Sequence, residues 1–255
     1  MRRYVRVPLT SKAKKWLEKN SNQLVADYSI SVKARWADRR KTMNNNGIVQ
    51  ALSAMCGSRI RCMYCGDSQA CDVEHFYPKA ELSYRAKVFD WNNFLYICAP
   101  CNRLKNNRFR LLPSGQPVLI NPVDEDPWEF FDFVEATGEI VPRADLVGDA
   151  LIRASATLSD DSSRVCIESV TESRRISARG IRRAVENFLV GEKGEAEENN
   201  FIDDVLGHAR PELVKWYFSG DYPVTVYYQI FSLNNVALVE RLKERLNKNY
   251  PSCWV

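Results

Sequence analysis

The stretch that decides the reading runs from residue 62 to residue 105. It contains Cys62-Met63-Tyr64-Cys65, then Asp72-Val73-Glu74-His75-Phe76-Tyr77-Pro78-Lys79, then Trp91-Asn92-Asn93, then Cys98-Ala99-Pro100-Cys101-Asn102-Arg103-Leu104-Lys105. Each Cys-x-x-Cys spacing turns two sulfurs toward one point, and four thiolates make a closed tetrahedral zinc site with no position left for a substrate. A structural zinc on Cys62, Cys65, Cys98 and Cys101 is therefore expected. Disulfides or merely packed thiols are the rival reading, but paired spacings in a chain without a secretion signal favour a metal. Thirty-two residues separate Cys65 from Cys98, more than a simple zinc ribbon needs, so something is built on the loop between them. Cys56 and Cys71 have no paired spacing and are expected as buried thiols.

The loop carries groups suited to phosphodiester hydrolysis, in which water attacks while positive charge stabilises the phosphate and the leaving oxygen. His75 is the only histidine in the first 207 residues, and a neutral imidazole accepts a proton from water near pH 7. Glu74 offers the hard oxygen that Mg²⁺ or Mn²⁺ prefers, and Asn102 a second, neutral one. Asn93 is expected to hold the His75 ring or its loop through its side-chain amide. Asp72 shares the face of Glu74 on a regular strand, as a supporting or alternate ligand.

These residues and spacings resemble the HNH (ββα-metal) endonuclease superfamily. The resemblance implies that Glu74 binds the catalytic Mg²⁺ or Mn²⁺, His75 activates water, Asn93 orients and Asn102 completes the metal site. It also implies a first strand over Asp72–His75, a second near Asn93–Ile97 and a helix from about Pro100 through Lys105. Asn102 stands where histidine is commoner and Glu74 where aspartate is commoner; both keep an oxygen ligand, a change of metal preference. The Glu-His-Phe-Tyr-Pro-Lys form, the Cys-Asn-x-x-Lys ending and Asn121-Pro122-Val123-Asp124-Glu125-Asp126-Pro127 are similar to one branch, the PtuB-like HNH effectors of Septu-type and retron-linked anti-phage systems. That likeness spans roughly residues 60–135 and implies an ATPase partner. The expected fold class is α+β, a zinc-stapled ββα-metal HNH core embedded in a mainly α-helical protein.

Charge divides the chain. Residues 1–110 hold 21 Lys and Arg against 8 Asp and Glu, and residues 111–255 hold 15 against 24. A basic front half suits the phosphate backbone of DNA, bound through counterion release with little sequence preference. Arg39, Arg40, Lys79, Arg103, Lys105, Arg108 and Arg110 are the candidate phosphate contacts, although cations at a helix C-terminus also have a structural use and Lys79 and Lys105 have the alternative of satisfying a carboxylate. RNA or tRNA offers the same phosphates. A zinc-stapled nucleic-acid-binding module without cleavage is the rival class. No apolar run reaches membrane-span length, so no membrane is expected, and eight cysteines without a signal peptide point to the reducing cytoplasm.

Three regions follow: a basic helical segment over 1–50, the nuclease core over 51–122, and an acidic, mainly helical region over 123–255 suited to partner docking. Residues 1–10 read as an extended arm with Arg2, Arg3 and Arg6 for phosphates. A helix capped at Thr10 or Ser11, a second over Asn22–Met43 and a third over Ile48–Met55 come next. Asp126 begins a capped, solvated turn, and Phe131–Phe133 pairs with Glu139–Val141. Helices are predicted over Asp145–Leu158, Ser162–Leu189, Glu195–Gly207, Pro211–Phe218 and Asn235–Asn247, with a strand over Val224–Phe231. The arginines from Arg174 to Arg183 are expected to pair with neighbouring glutamates, His208 to cap its helix, and Trp216, Tyr217, Phe218 and Tyr222 to pack in a core or on a partner.

Overall fold

Two short strands carry the centre of the molecule. In the computed structural model, which describes residues 1–67, 69–105, 109–159, 162–192, 194–208, 210–222 and 224–254, β1 (Asp72–His75) pairs antiparallel with β2 (Phe94–Ile97), Asp72 facing Ile97 and His75 facing Phe94. All four residues of β2 are buried. Asp72 and Glu74 project to one side of β1, and Val73 and His75 to the other. A seven-residue helix follows at once, with Pro100 in its first turn, where the missing N–H costs nothing. Strands and helix lie where the resemblance implied them.

The N-terminal helices flank this unit. α1 (Ser11–Ala26) is capped by Thr10, α2 (Val32–Arg39) by Ser31, and α3 (Ile48–Cys56) leads into the first cysteine pair. The helix of the second cysteine pair is α4 (Ala99–Lys105). The single helix expected over 22–43 is in fact two. Asp27 accepts from the Ser29 amide and hydroxyl, and this turn ends α1 before Ser31 starts α2.

After residue 122, Asp126 caps a turn over Pro127–Glu129, and β3 (Phe131–Val134) pairs with β4 (Glu139–Pro142). The helices α5 (Gly148–Leu158), α6 (Glu168–Val190), α7 (Glu195–Gly207), α8 (Pro211–Phe218), α9 (Val226–Asn234) and α10 (Val236–Asn249) complete the fold. The architecture is α+β, with two small sheets among helices. α6 starts six residues later than predicted. The strand predicted over 224–231 is helical, because Tyr228 and Phe231 sit three apart and both turn into the core. Among the described residues, no helix is long and apolar enough to cross a membrane.

The acidic half packs onto the cysteine-bearing half through polar clasps. Arg210, buried in full view of neither solvent nor a single partner, donates to the Cys65 carbonyl (3.1 Å) and to Asp67 (2.9 Å). The Asn249 carbonyl receives the Ser58 amide, and Gly57, at φ +80°, has no room for a Cβ, which would stand 2.2 Å from that same carbonyl. Asp126 is not solvated: it is buried and paired with Lys215 at 2.6 Å. Glu125 is held by both terminal nitrogens of Arg153. Arg2 is likewise not free for phosphate, since it is buried and donates to the carbonyls of Met55, Cys56 and Pro251.

Arg175 and Arg182 pair with Glu172 and Glu186 as expected, whereas Arg174 is fully buried. His208 caps α7, and its ring lies on Gly180 of α6, where any side chain would collide with it. Trp216, Tyr217, Phe218 and Tyr222 are buried in the core.

Candidate metal centre and carboxylate cleft

The sulfurs of Cys62, Cys65, Cys98 and Cys101 lie within 4.8 Å of one another, and all four residues are buried. Cys65 and Cys98 are 3.9 Å apart, sulfur to sulfur. Tetrahedral zinc with Zn–S bonds of about 2.3 Å requires sulfurs about 3.8 Å apart, whereas a disulfide needs about 2.05 Å. The cluster can therefore hold a zinc ion, and all eight cysteines are free thiols. Backbone geometry explains the convergence. The Met63 amide bonds the Tyr96 carbonyl, which ties the first cysteine pair to β2, while Cys98 and Cys101 occupy the junction of β2 and α4. Hydrogen bonds from Cys101 and Cys62 hold the Cys65 thiol far below its ordinary range. Cys56 is buried but outside the group, and Cys71 is exposed rather than buried.

Beside the sulfurs, a cavity of about 550 Å³ runs along the unpaired edge of β1. Asp72, Glu74 and Asn102 contribute oxygens to its wall, and Arg40, Lys41, Lys79 and Arg103 surround them with positive charge. Asn102 Nδ2 donates to Asp72 Oδ2 at 2.9 Å, which joins α4 to β1 across the cavity floor. Glu74 is nearly buried, with Lys105 Nζ 3.8 Å from its Oε1.

Lys105, expected to contact phosphate or to satisfy a carboxylate, is wholly buried beside Glu74 and not on a phosphate-binding surface. Its ammonium donates to the His75 carbonyl at 2.5 Å, and burial lowers its pKa to about 8. Cys101 and Lys105 are four apart on α4, so the face that supplies a sulfur also supplies this strut. Arg40 and Arg103 line the cavity and are exposed; Arg39 and Arg110 lie outside its wall, with Arg39 facing Asp38 at 3.4 Å. Arg108 lies outside the described residues.

His75 has no exposed surface. Its Nε2 is 2.9 Å from the Val88 carbonyl, which can only accept, so Nε2 carries the proton and Nδ1 keeps its lone pair. Nδ1 is buried without a hydrogen-bond partner. Trp36 of α2 meets the imidazole edge-on, ring centroids 4.2 Å apart, and Trp36 itself lines the cavity. The imidazole thus lies one indole behind the cavity wall rather than in it. Burial pulls its pKa down to about 3, against a smaller upward pull from the bond to Val88.

Asn93 holds the loop, not the ring. Its carbonyl oxygen accepts from the Tyr77 amide (2.7 Å), and its amide donates to the Tyr77 and Lys87 carbonyls (3.0 and 2.9 Å). The Val88 carbonyl left no side-chain signal in the sequence. Arg85 left none either: it is buried and spends its guanidinium on the carbonyls of Leu24, Asp27 and Ile30, more than fifty residues away.

Asp72, Glu74 and Asn102 place two carboxylates and one amide in the wall of one open cavity. Among the described residues, the four sulfurs are the only group of three or more His, Cys, Asp or Glu side chains gathered closely enough to enclose a metal. No protein-family model, no curated protein and no solved structure matches this chain.

Proposed function

We propose that the protein is a metal-dependent endonuclease of the HNH type that hydrolyses phosphodiester bonds of DNA. The observation that carries this reading is the basic cavity in which Asp72, Glu74 and Asn102 meet Arg40, Lys41, Lys79 and Arg103, beside a four-cysteine group able to hold zinc. The arginines and lysines draw in and orient the phosphate backbone. Glu74 and Asn102 would hold a Mg²⁺ or Mn²⁺ ion, which supplies the charge that stabilises the departing 3′ oxygen. Val88 fixes the His75 tautomer with Nδ1 unprotonated, and that atom would accept the proton of the attacking water once water passes the Trp36 indole. Asn93 keeps the loop after β1 in place, and Lys105 ties the end of that strand to α4.

The resemblance to PtuB-like effectors extends the reading to an effector subunit of an anti-phage system that works beside an ATPase. Support for a partner comes from α9, where Val226, Ile230 and Leu233 form an exposed apolar stripe. A zinc-stapled binding module without cleavage has one observation in its favour, the complete burial of His75. Plasmid incubated with Mg²⁺ or Mn²⁺, beside an EDTA control, separates the two. Cleavage that EDTA abolishes, and that His75→Ala lowers by about 10² to 10⁴-fold with zinc content and DNA binding retained, is expected. Undiminished cutting by His75→Ala would remove the mechanism.

A further inference from the structure

A second cavity, of about 770 Å³, adjoins the basic one, and the two share Glu74 and Lys79 in their walls. Its chemistry is different. Tyr28, Ile30, Pro78, Leu82 and Phe109 line it, and among its charged groups Lys33, Lys79 and Arg85 outnumber Glu74 and Glu81. Phe109 is packed against Phe76, Tyr77 and Tyr84 and forms a fixed aromatic floor. At the rim, Tyr28 and Leu82 are 71% and 72% exposed, unusually open for side chains of their size.

The Tyr28 rim is built rather than loose. Arg85, 4% exposed, donates to the carbonyls of Leu24, Asp27 and Ile30 at 2.7, 2.7 and 3.0 Å, which brackets Tyr28 on both sides in sequence. The same guanidinium lies 4.8 Å from the centre of the Tyr28 ring. A buried cation is thus spent on presenting an aromatic ring to solvent. We infer that this second cavity receives an unpaired nucleobase next to the scissile phosphate, with Tyr28 stacking on it, so that the substrate is single-stranded or locally unpaired nucleic acid. The inference rests on reading the adjoining basic cavity as the phosphate site.

The physical reason is geometric. A strand whose phosphate lies among Arg40, Lys79 and Arg103 projects its neighbouring base past Glu74 and Lys79 into the apolar cavity. In a duplex both faces of that base are already stacked, and only an unstacked nucleotide offers a free face to Tyr28. Stacking on an aromatic ring is sequence-tolerant, so base identity is expected to matter little.

The test is fluorescence anisotropy with the full chain in EDTA at fixed salt, using fluorescein-labelled dT20, rU20 and a 20-base-pair duplex. The single strands are expected to bind at least about tenfold tighter than the duplex, with the dT20-to-rU20 ratio reporting which sugar is preferred. Tyr28→Ala should weaken single-strand binding about tenfold and leave duplex binding unchanged, while Tyr28→Phe restores it. Equal binding of duplex and single strand, wild-type affinity in Tyr28→Ala, or no binding of any probe would overturn the inference. Cleavage assays with Mn²⁺ tell its failure from failure of the nuclease reading. Cleavage of single-stranded circular DNA at the wild-type rate by Tyr28→Ala removes the nucleobase cavity alone; Tyr28-dependent binding without cleavage of any substrate removes the nuclease alone.

Discussion

At the cysteine cluster, four side chains of one kind close on one point, all buried and within 4.8 Å of one another. At the carboxylate cavity next to it, the donors come from a strand and a helix, differ in charge and leave most of the sphere open. The first arrangement suits an ion that never leaves and does no chemistry, because every position around it is taken. The second, on the function proposed above, would share its ion with water and a phosphate. One pair of strands and one helix serve both, so the closed site can hold the open one in register. His75 fits neither description, being as buried as the sulfurs although the role proposed for it requires contact with water.

The largest expected effect breaks the closed site. In Cys98→Ala, or after zinc removal by a strong chelator, the junction of β2 and α4 loses the ion that joins it to the first cysteine pair, and Cys101, Asn102 and Lys105 lose their common anchor. Structural zinc contributes on the order of 10 kcal/mol of binding free energy, comparable with the whole stability of a domain. Loss of the cooperative thermal transition, together with loss of stoichiometric zinc in metal analysis, is expected. A soluble Cys98→Ala protein with native circular dichroism would count against a structural metal.

A smaller effect sharpens the contrast between the cavity and the buried imidazole. The chain has two histidines, His75 and His208, so diethylpyrocarbonate labelling read by mass spectrometry carries its own reference. Half-buried His208 should be modified while His75 stays unmodified in the wild type. Trp36→Ala removes the indole between imidazole and cavity, and labelling of His75 should rise at least about tenfold. Rapid labelling of His75 in the wild type would contradict its burial behind Trp36.

These contrasts also mark what was legible in the sequence. The cysteine pairs were readable because ligand spacing is a local rule, while both strands, α4 and the Glu74–Asn102 neighbourhood were legible only through the resemblance their motifs carry. Of the two partners the sequence offered Lys105, a phosphate or a carboxylate, the fold supplies the carboxylate of Glu74 and adds the His75 carbonyl, thirty residues away. Arg2 and Asp126 misled because their partners lie far along the chain. The α1–α2 break turned on one Asp27–Ser29 turn inside a good helical pattern, and α9 on β-branched and aromatic residues whose spacing, not type, decided the helix. Burial of His75 depends on Trp36, thirty-nine positions earlier, and no local pattern reports such a contact.

The smallest expected effect follows from that burial. The pKa of His75 falls from 6.5 to about 3 on folding, chiefly through desolvation. Between those values the unfolded chain binds a proton that the folded chain refuses. The stability contributed by the neutral, buried ring is therefore complete above about pH 6.5 and is lost as pH falls toward 3, with a slope of about 1.4 kcal/mol per pH unit. Carboxylates and thiolates titrate in the same range, so the quantity to measure is a difference. Urea unfolding at pH 7.5, 6 and 5 should show wild type losing stability relative to His75→Gln as the pH drops. Trp36→Ala should shrink that difference, because a hydrated imidazole regains an ordinary pKa and no longer penalises the folded state. If wild type and His75→Gln instead fall in parallel down to pH 5, the imidazole is already hydrated in the native protein, and the separation drawn between it and the sulfurs disappears.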